Sequence, residues 1–537
     1  MKLTREGIKE REAWEKAGFG LPAYDCGKAA EKTKQEPIWV HFGAGNIFRI
    51  FIGGIVDRLL AAGEMEKGLT CAETFDFDVI DKIYQPYDNL VLAVTLKADG
   101  STEKQVIGSL TEAVKACPDD AAGWARLKAI FASPKLQMIS FTITEKGYAL
   151  REAGGDYLPW VKTDIEKGPS CPGSAMAVIC ALLYVRYQVG ALPLAVVSMD
   201  NCSHNGEKLR NSVVTMAKEW AAKGFLPLGF LAYLKDEKTV SFPWSMIDKI
   251  TPRPAESVWR ELEEAGVEAM QPVITGKNTY IAPFVNAEGP QYLAIEDRFP
   301  NGRPPLEKAG VYMTDRDTVE KVERMKVTTC LNPLHTALAV YGCLLGYDLI
   351  ADEMRSPVLA ELVRQIGPVE GMPVVTDPKI LSPQDFVDEV IGVRLPNPCI
   401  PDTPQRIATD TSQKVGIRYG ETIKAYVARY GDARKLTAIP LAIAGWFRYL
   451  LGVDDQGNPF PLSPDPMISE LTKAMEGITA GKPETYHGQL KPILSNADIF
   501  GTDLYAAGVG EKIEAMFLEE IGGWGKVEET LKKYLYS

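Results

Sequence analysis

Through the first three hundred residues, short apolar runs alternate with longer stretches of helical period. Five runs predict strands: "IWVHFG" at 38–43, "LTCAE" at 69–73, "LVLAVTL" at 90–96, "LQMISFTIT" at 136–144 and "LAVVSMD" at 194–200. Between and after them, "IFRIFIGGIVDRLLAAG" at 47–63, "AAGWARLKAIFA" at 121–132 and "NGEKLRNSVVTMAKEWAAKG" at 205–224 predict helices. Nearly continuous apolar strands separated by helices are the pattern of a parallel sheet covered on both faces. Beyond the polar, proline-bearing segment "EDRFPNGRPPLEKAG" at 296–310 the pattern turns mostly helical, at 316–347, 357–365, 403–430, 434–451 and 511–535. The expected architecture is therefore an α/β domain over residues 1–303 and a mostly α-helical domain over 304–537.

Length agrees with this division, because 537 residues exceed what one hydrophobic core serves. The longest apolar run, "AMAVICALLYV" at 175–185, is too short for a membrane helix, and no signal peptide is read at the amino terminus. Nine singly scattered cysteines, without a Cys-x-x-Cys pair, suggest neither a disulfide framework nor a thiolate metal site, and point to the reducing cytoplasm. A net charge of −12 without a long basic block argues against nucleic acid and anionic membranes as partners. An anionic small substrate would need a local cationic pocket.

The first strand runs directly into Gly43-Ala44-Gly45 and then a helix. Such a turn lets the backbone approach a pyrophosphate, which the helix N-terminus stabilises with unbonded N–H groups. Asn46, Ile47 and Phe48 follow the turn, with Phe48 where a third glycine is expected. An ordinary strand–turn–helix shares this much of the pattern. Carboxylates close the second strand, Glu73 first and then Asp76, Asp78 and Asp81. A carboxylate there accepts ribose hydroxyls and repels a 2′-phosphate, so NAD is favoured over NADP, with Glu73 as the chosen residue. Any of the four could equally be a solvated charge.

Three further segments combine side-chain amides, a carboxylate or a lysine with apolar neighbours: "VVSMDNCSHNGEKLR" at 196–210, "SFPWSMIDKITPRP" at 241–254 and "MKVTTCLNPLH" at 325–335. Taken singly, Asn201 and Asp248 could be loop or cap residues and His335 a satisfied core histidine. Taken together, "HFGAGNIFR", "SMDN…NG", "FPWSMIDKITP", "IEDRFPNGRP" and Lys…Leu-Asn-x-x-His resemble the polyol-specific long-chain dehydrogenase family, over about residues 38–451. The resemblance implies a Rossmann-type parallel-sheet domain, a helical second domain, NAD as cofactor, no metal, and interconversion of a ketose or ketouronate with its alcohol. Among the branches of the family it is greatest to the one that reduces D-fructuronate to D-mannonate, with mannitol oxidation and tagaturonate reduction as alternatives. A non-catalytic NAD-binding sensor is the alternative of another class.

Carried over by motif, the family's catalytic lysine falls on Lys326 and its two asparagines on Asn201 and Asn332. Its substrate contacts fall on His335, Asp248, Arg406 and Lys414, the last two from "QRIATDTSQK". Thr144 and Glu145, at the end of the fourth predicted strand, are expected on the nicotinamide side. These residue types suit the chemistry: two amides can hold a carbonyl oxygen as it becomes an alkoxide, and a lysine can supply the proton. Family members are often monomers, so a monomer or weak oligomer with a small sugar-acid or ketose substrate is expected.

On a regular helix the nine residues from Lys326 to His335 would set the two side chains about 180° apart. Pro333 also lacks the N–H that the carbonyl of Thr329 would need. The sequence therefore predicts an irregularity between 326 and 334. It is either a π-bulge or a helix ending near Leu331, with Asn332 capping a new one and Pro333 at its first position.

Overall fold

The computed structural model describes residues 1–152 and 154–536. It divides into two compact units, Met1–Lys97 with Ser101–Glu320, and Ala98–Gly100 with Lys321–Ser537.

The first unit is built on a six-stranded, wholly parallel sheet of β1 (Trp39–Phe42), β2 (Leu69–Glu73), β3 (Leu110–Lys115), β4 (Met138–Phe141), β5 (Leu194–Ser198) and β6 (Val240–Ser241). In space the order is 3-2-1-4-5-6. This is the doubly wound dinucleotide order, whose crevice opens beyond the carboxyl ends of β1 and β4, where the strand order reverses. Alternate residues pack on opposite faces: Val40, Phe42, Ile139, Phe141 and Val196 on one side, Trp39, Met138 and Val197 on the other. Helices α1 (Gly53–Ala61), α2 (Ala121–Ala132), α3 (Ala175–Gln188) and α4 (Asn205–Ala222) supply the covering layers. The apolar stretch at 175–185 is thus the buried centre of α3, and among the described residues no helix is long and apolar enough to cross a membrane.

One predicted strand belongs elsewhere. Residues Val91–Leu96 pair antiparallel with Thr102–Ile107 and parallel with Phe284–Glu288 in a separate four-stranded sheet. Their place beside β2 is taken by β3, whose half-polar sequence LTEAVK marks an edge strand with one side towards solvent.

Helix Arg316–Met325 carries the chain into the second unit, where every described element after it is helical. Helices α5 (Asn332–Leu345), α6 (Glu421–Tyr430), α7 (Ala438–Tyr449) and α8 (Gly510–Glu520) are its main pieces. Helix α7 is buried along its whole length and packs against α5 and α8. Several helices begin or end in a wide π-turn, among them Lys326–Cys330 and Gly416–Gly420.

Candidate active site

In the first unit the glycine turn sits at the carboxyl end of β1. Gly43 has φ +106°, and a Cβ there would lie 2.3 Å from the carbonyl oxygen of Thr142, at the end of β4. Only glycine fits so close to the neighbouring strand. A Cβ on Gly45 would meet nothing within 4 Å, so this side of the turn is open to a ligand. Ala44 between them is clamped twice: its N–H donates to Glu73 Oε2 at 2.8 Å and its carbonyl accepts from the Tyr84 hydroxyl at 3.1 Å. Asn46 and Ile47 are half-buried at the start of the following helix, whereas the Phe48 ring is fully buried and stacks on His41 at 4.0 Å between centroids. Phe48 therefore offers a ligand its backbone and not its side chain. His41 bridges Ser140 and Thr142 with its two ring nitrogens, and burial holds its pKa well below the usual histidine value. That neutral imidazole braces β1 against β4.

Glu73 has a larger part in the loop than the sequence suggests. Its buried carboxylate accepts N–H groups from Ala44, Thr74, Phe75 and Asp76. Burial raises its pKa and these bonds oppose the rise. The residue organises the glycine turn and the end of β2 at once.

Beyond β4 and β5 lies a cavity of about 240 Å³ lined by Ile47, Thr142, Thr144, Glu145, Met199, Asp200, Asn201, Ile247 and Lys249. Four predicted residues, Ile47, Thr144, Glu145 and Asn201, meet here. Met199, Ile247 and Lys249 join them without having been singled out by sequence. Thr144 has φ +64°, an uncommon conformation for a β-branched residue. It is held by Asp200, whose carboxylate accepts the N–H groups of Ile143 at 3.0 Å and Thr144 at 2.8 Å, and the Tyr148 hydroxyl. Burial raises the Asp200 pKa against those three bonds. The buried Asn205 ties the same region together, donating to the carbonyls of Ser198, Asp200 and Ser245 and accepting the N–H of Ser245. Through it the "SMDN" loop is fastened to the strand Ser245–Asp248, in which Asp248 is buried. Asp200 and Asn205 were legible only as neighbours of Asn201, since their partners are distant in sequence.

In the second unit the predicted irregularity is present. A π-turn spans Lys326–Cys330, with the Leu331 N–H bonded to the Lys326 carbonyl at 3.1 Å. Leu331 then leaves helical geometry at φ −132°, ψ −61°, and α5 starts at Asn332 with Pro333 in its first turn. A wide turn takes up about one residue, and with the break at Leu331 the separation of about 180° that a regular helix would impose on Lys326 and His335 no longer holds. Lys326 is 3 % exposed, which rules out a solvated helix face. The turn is fastened from outside by α6, whose Thr422 hydroxyl donates to the Thr328 carbonyl.

His335 Nε2 lies 3.3 Å from Asp402 Oδ2, without the alignment of a hydrogen bond, so the contact is an ion pair whenever the imidazole is protonated. Asp402 also receives Arg406. Burial opposes its ionisation, but His335 and Arg406 outweigh this and hold its pKa below the usual carboxylate value. Lys414 donates to the Thr409 carbonyl, and its pKa is lowered by burial and by the nearby Arg418. His335, Arg406 and Lys414 thus belong to one polar region of this unit, which Asp402 and Arg418 complete. Among the described residues no group of three or more His, Cys, Asp or Glu side chains could hold a metal ion.

Comparison with known proteins matches both parts of the chain. Residues 37–308 match the mannitol dehydrogenase Rossmann domain, and residues 318–519 match the mannitol dehydrogenase C-terminal domain. The chain is 53% identical over 536 residues to the D-mannonate oxidoreductase of Thermotoga maritima, covering 99% of each. It is 32% identical to the mannitol 2-dehydrogenase of Pyrenophora tritici-repentis, over 82% of this chain and 74% of that one. The solved mannitol 2-dehydrogenase of Pseudomonas fluorescens, a ternary complex with NAD and D-mannitol, superposes with a TM-score of 0.71 at 26% identity over the whole of both chains. With both of its halves matched, this chain belongs to the mannitol dehydrogenase family.

Proposed function

We propose that the protein is an NAD-dependent oxidoreductase that reversibly reduces D-fructuronate to D-mannonate. The observation that carries this reading is the 53% identity to a D-mannonate oxidoreductase across 99% of both chains. Bound NADH supplies the hydride in this reaction. The open face of Gly45 and the N–H groups that follow it suit a pyrophosphate. The cavity lined by Ile47, Thr144 and Asn201 suits the nicotinamide end. The preference for NAD over NADP rests on the acidic end of β2, where Asp76 and Asp78 follow the buried, loop-organising Glu73 and would oppose a 2′-phosphate.

Lys326 gives its proton to the oxygen of the ketone as hydride arrives, and takes it back in the oxidative direction. In the second unit Asn332 donates its side-chain N–H group to that oxygen, a contribution of roughly 3–4 kcal/mol per donor in enzymes where it has been removed, and in the first unit Asn201 carries the other amide of the family motif. His335 and Asp248 contact the sugar hydroxyls, and Arg406 with Lys414 supplies positive charge for the carboxylate. The π-turn supports the role of Lys326, since a residue placed by a distorted, buried turn is costly to retain without function.

The test is a panel of D-fructuronate, D-tagaturonate and D-fructose with NADH and NADPH, followed by loss of absorbance at the nicotinamide band. D-Fructuronate with NADH should give the highest kcat/KM. Preference for fructose would return the chain to the mannitol 2-dehydrogenases. Bound NADH without turnover of any of the three would mean a sensor.

A further inference from the structure

The arginines of the molecule differ in how far their donors are used. Arg186 spends its guanidinium on five backbone carbonyls and Arg448 on three. Arg49 leaves Nε and Nη2 unbonded, but they are sealed in the core where no solute reaches them. Arg418 is different again. It sits in the π-turn Gly416–Gly420, half-buried, and only its Nη1 has a protein partner among the described residues, the hydroxyl of Thr336. Among the described residues no carboxylate pairs with it.

Its surroundings are built. The next residue, Tyr419, donates its hydroxyl to the Pro333 carbonyl at 3.0 Å, which locks the turn to the first turn of α5. Gly416 and Gly420 allow the backbone to lie against the segment at Phe500, where a Cβ would come within 2.7 Å of the Ile499 carbonyl oxygen or collide with that of Phe500. Thr336, which seats the guanidinium, is the neighbour of His335 and lies one helical turn after Asn332. Arg418 is therefore fixed beside residues assigned to substrate. Burial pushes its pKa down to about 10, so it is still charged at neutral pH.

Charge then decides the ligand. Arg406 is answered by Asp402, and Lys414 by its bond to Thr409 and by the charges of Asp410 and Asp465. Arg418 has no such answer, in a chain of net charge −12. A half-desolvated guanidinium with open donors suits a carboxylate brought by a ligand, because its planar fork can bind both oxygens. We propose that Arg418, seated on Thr336 and flanked by Lys414, is the carboxylate-binding and specificity-determining residue for a hexuronate substrate. The assignment rests on the ketouronate reading above and moves the principal anion contact from Arg406 to Arg418.

The experiment compares kcat/KM for D-fructuronate and for uncharged D-fructose in wild type, Arg418→Met and Arg418→Lys, with NADH binding and thermal melting as checks on the fold. Arg418→Met should lower the fructuronate-to-fructose ratio by at least about 30-fold, the scale of a lost charged hydrogen bond, and mostly through KM. Arg418→Lys, which keeps the charge and is the gentler change if the methionine variant does not fold, should recover part of the ratio. A ratio within about threefold of wild type in a folded variant overturns the assignment, as does equal loss on both substrates. Wild type that reduces fructose but no ketouronate overturns the functional reading itself, and the assignment with it.

Discussion

Replacing Asp200 by asparagine isolates the device that holds the cavity wall in the first unit. Three donors converge on this carboxylate: the Ile143 N–H and the Tyr148 hydroxyl on Oδ2, and the Thr144 N–H on Oδ1. An asparagine oxygen can keep the first two, but its NH2 then faces the Thr144 N–H at 2.8 Å, donor against donor. One bond is lost, at about 1 kcal/mol, and the two that survive lose the assistance of charge, which the removal of a desolvated carboxylate offsets to about 0.5 kcal/mol for the pair. Thr144 also loses what offsets its left-handed backbone, a further cost of about 1 kcal/mol. The sum, about 2–3 kcal/mol, falls on the ordering of residues 143 and 144, which would have to be restored whenever NADH binds. We expect the NADH dissociation constant, measured by quenching of protein fluorescence, to rise about 30- to 100-fold. Tyr148→Phe removes only one of the three bonds and leaves the backbone of Thr144 held, so it should weaken NADH no more than about threefold. An Asp200→Asn variant with wild-type NADH affinity would refute the reasoning.

Lys326→Ala should lower kcat at least about 100-fold with NADH affinity little changed; near-normal kcat would remove the acid/base role. Glu73→Ser should weaken NADH and NADPH together and cost about 2 kcal/mol of stability, because four N–H groups lose their acceptor. A narrowed preference with full affinity for both cofactors would show instead that Glu73 acts only on the ribose. Glu520 in α8 is fully buried, with Oε2 unbonded and Oε1 accepting the Tyr341 hydroxyl, and burial pushes its pKa up to about 8. Its folded pKa thus lies above the unfolded value of 4.5, so its contribution is complete below pH 4.5 and is lost as pH rises towards 8. The loss is on the order of 4 kcal/mol, and Glu520→Gln should flatten the profile in denaturant melts between pH 5 and 9; an unchanged slope would contradict it.

Strands buried on both faces were the easiest to read. The segment 69–73 and helix 121–132 stand where their apolar runs and period place them, because local pattern and tertiary burial agree there. β3 was missed for the opposite reason: an edge strand carries half a pattern. In the site, the spacing of Lys326 and His335 together with Pro333 was enough to predict an irregularity between 326 and 334, left open between a π-bulge and a helix break; the chain has a π-turn followed by a new helix from Asn332. The supporting residues were not legible. Asp200 grips atoms 56 and 57 residues away, Asn205 reaches 40 residues to Ser245, and Arg418 is seated 82 residues from its own position. No local motif records such partners.

Two of the wide turns, Lys326–Cys330 and Gly416–Gly420, each hold one residue more than a regular helix would at that place, and both bear a cation. A change of chain length is tolerated there at the cost of a single hydrogen-bond step, while everything before the turn rotates by about 100° against everything after it. Deleting one residue within Gly416–Gly420 would swing Arg418 away from Thr336 and leave the downstream helix in register with its own neighbours. On the roles proposed for Lys326 and Arg418, substrate range in this scaffold can drift through single-codon insertions and deletions as well as through substitutions, and a mutagenesis library that varies length at these two turns tests it.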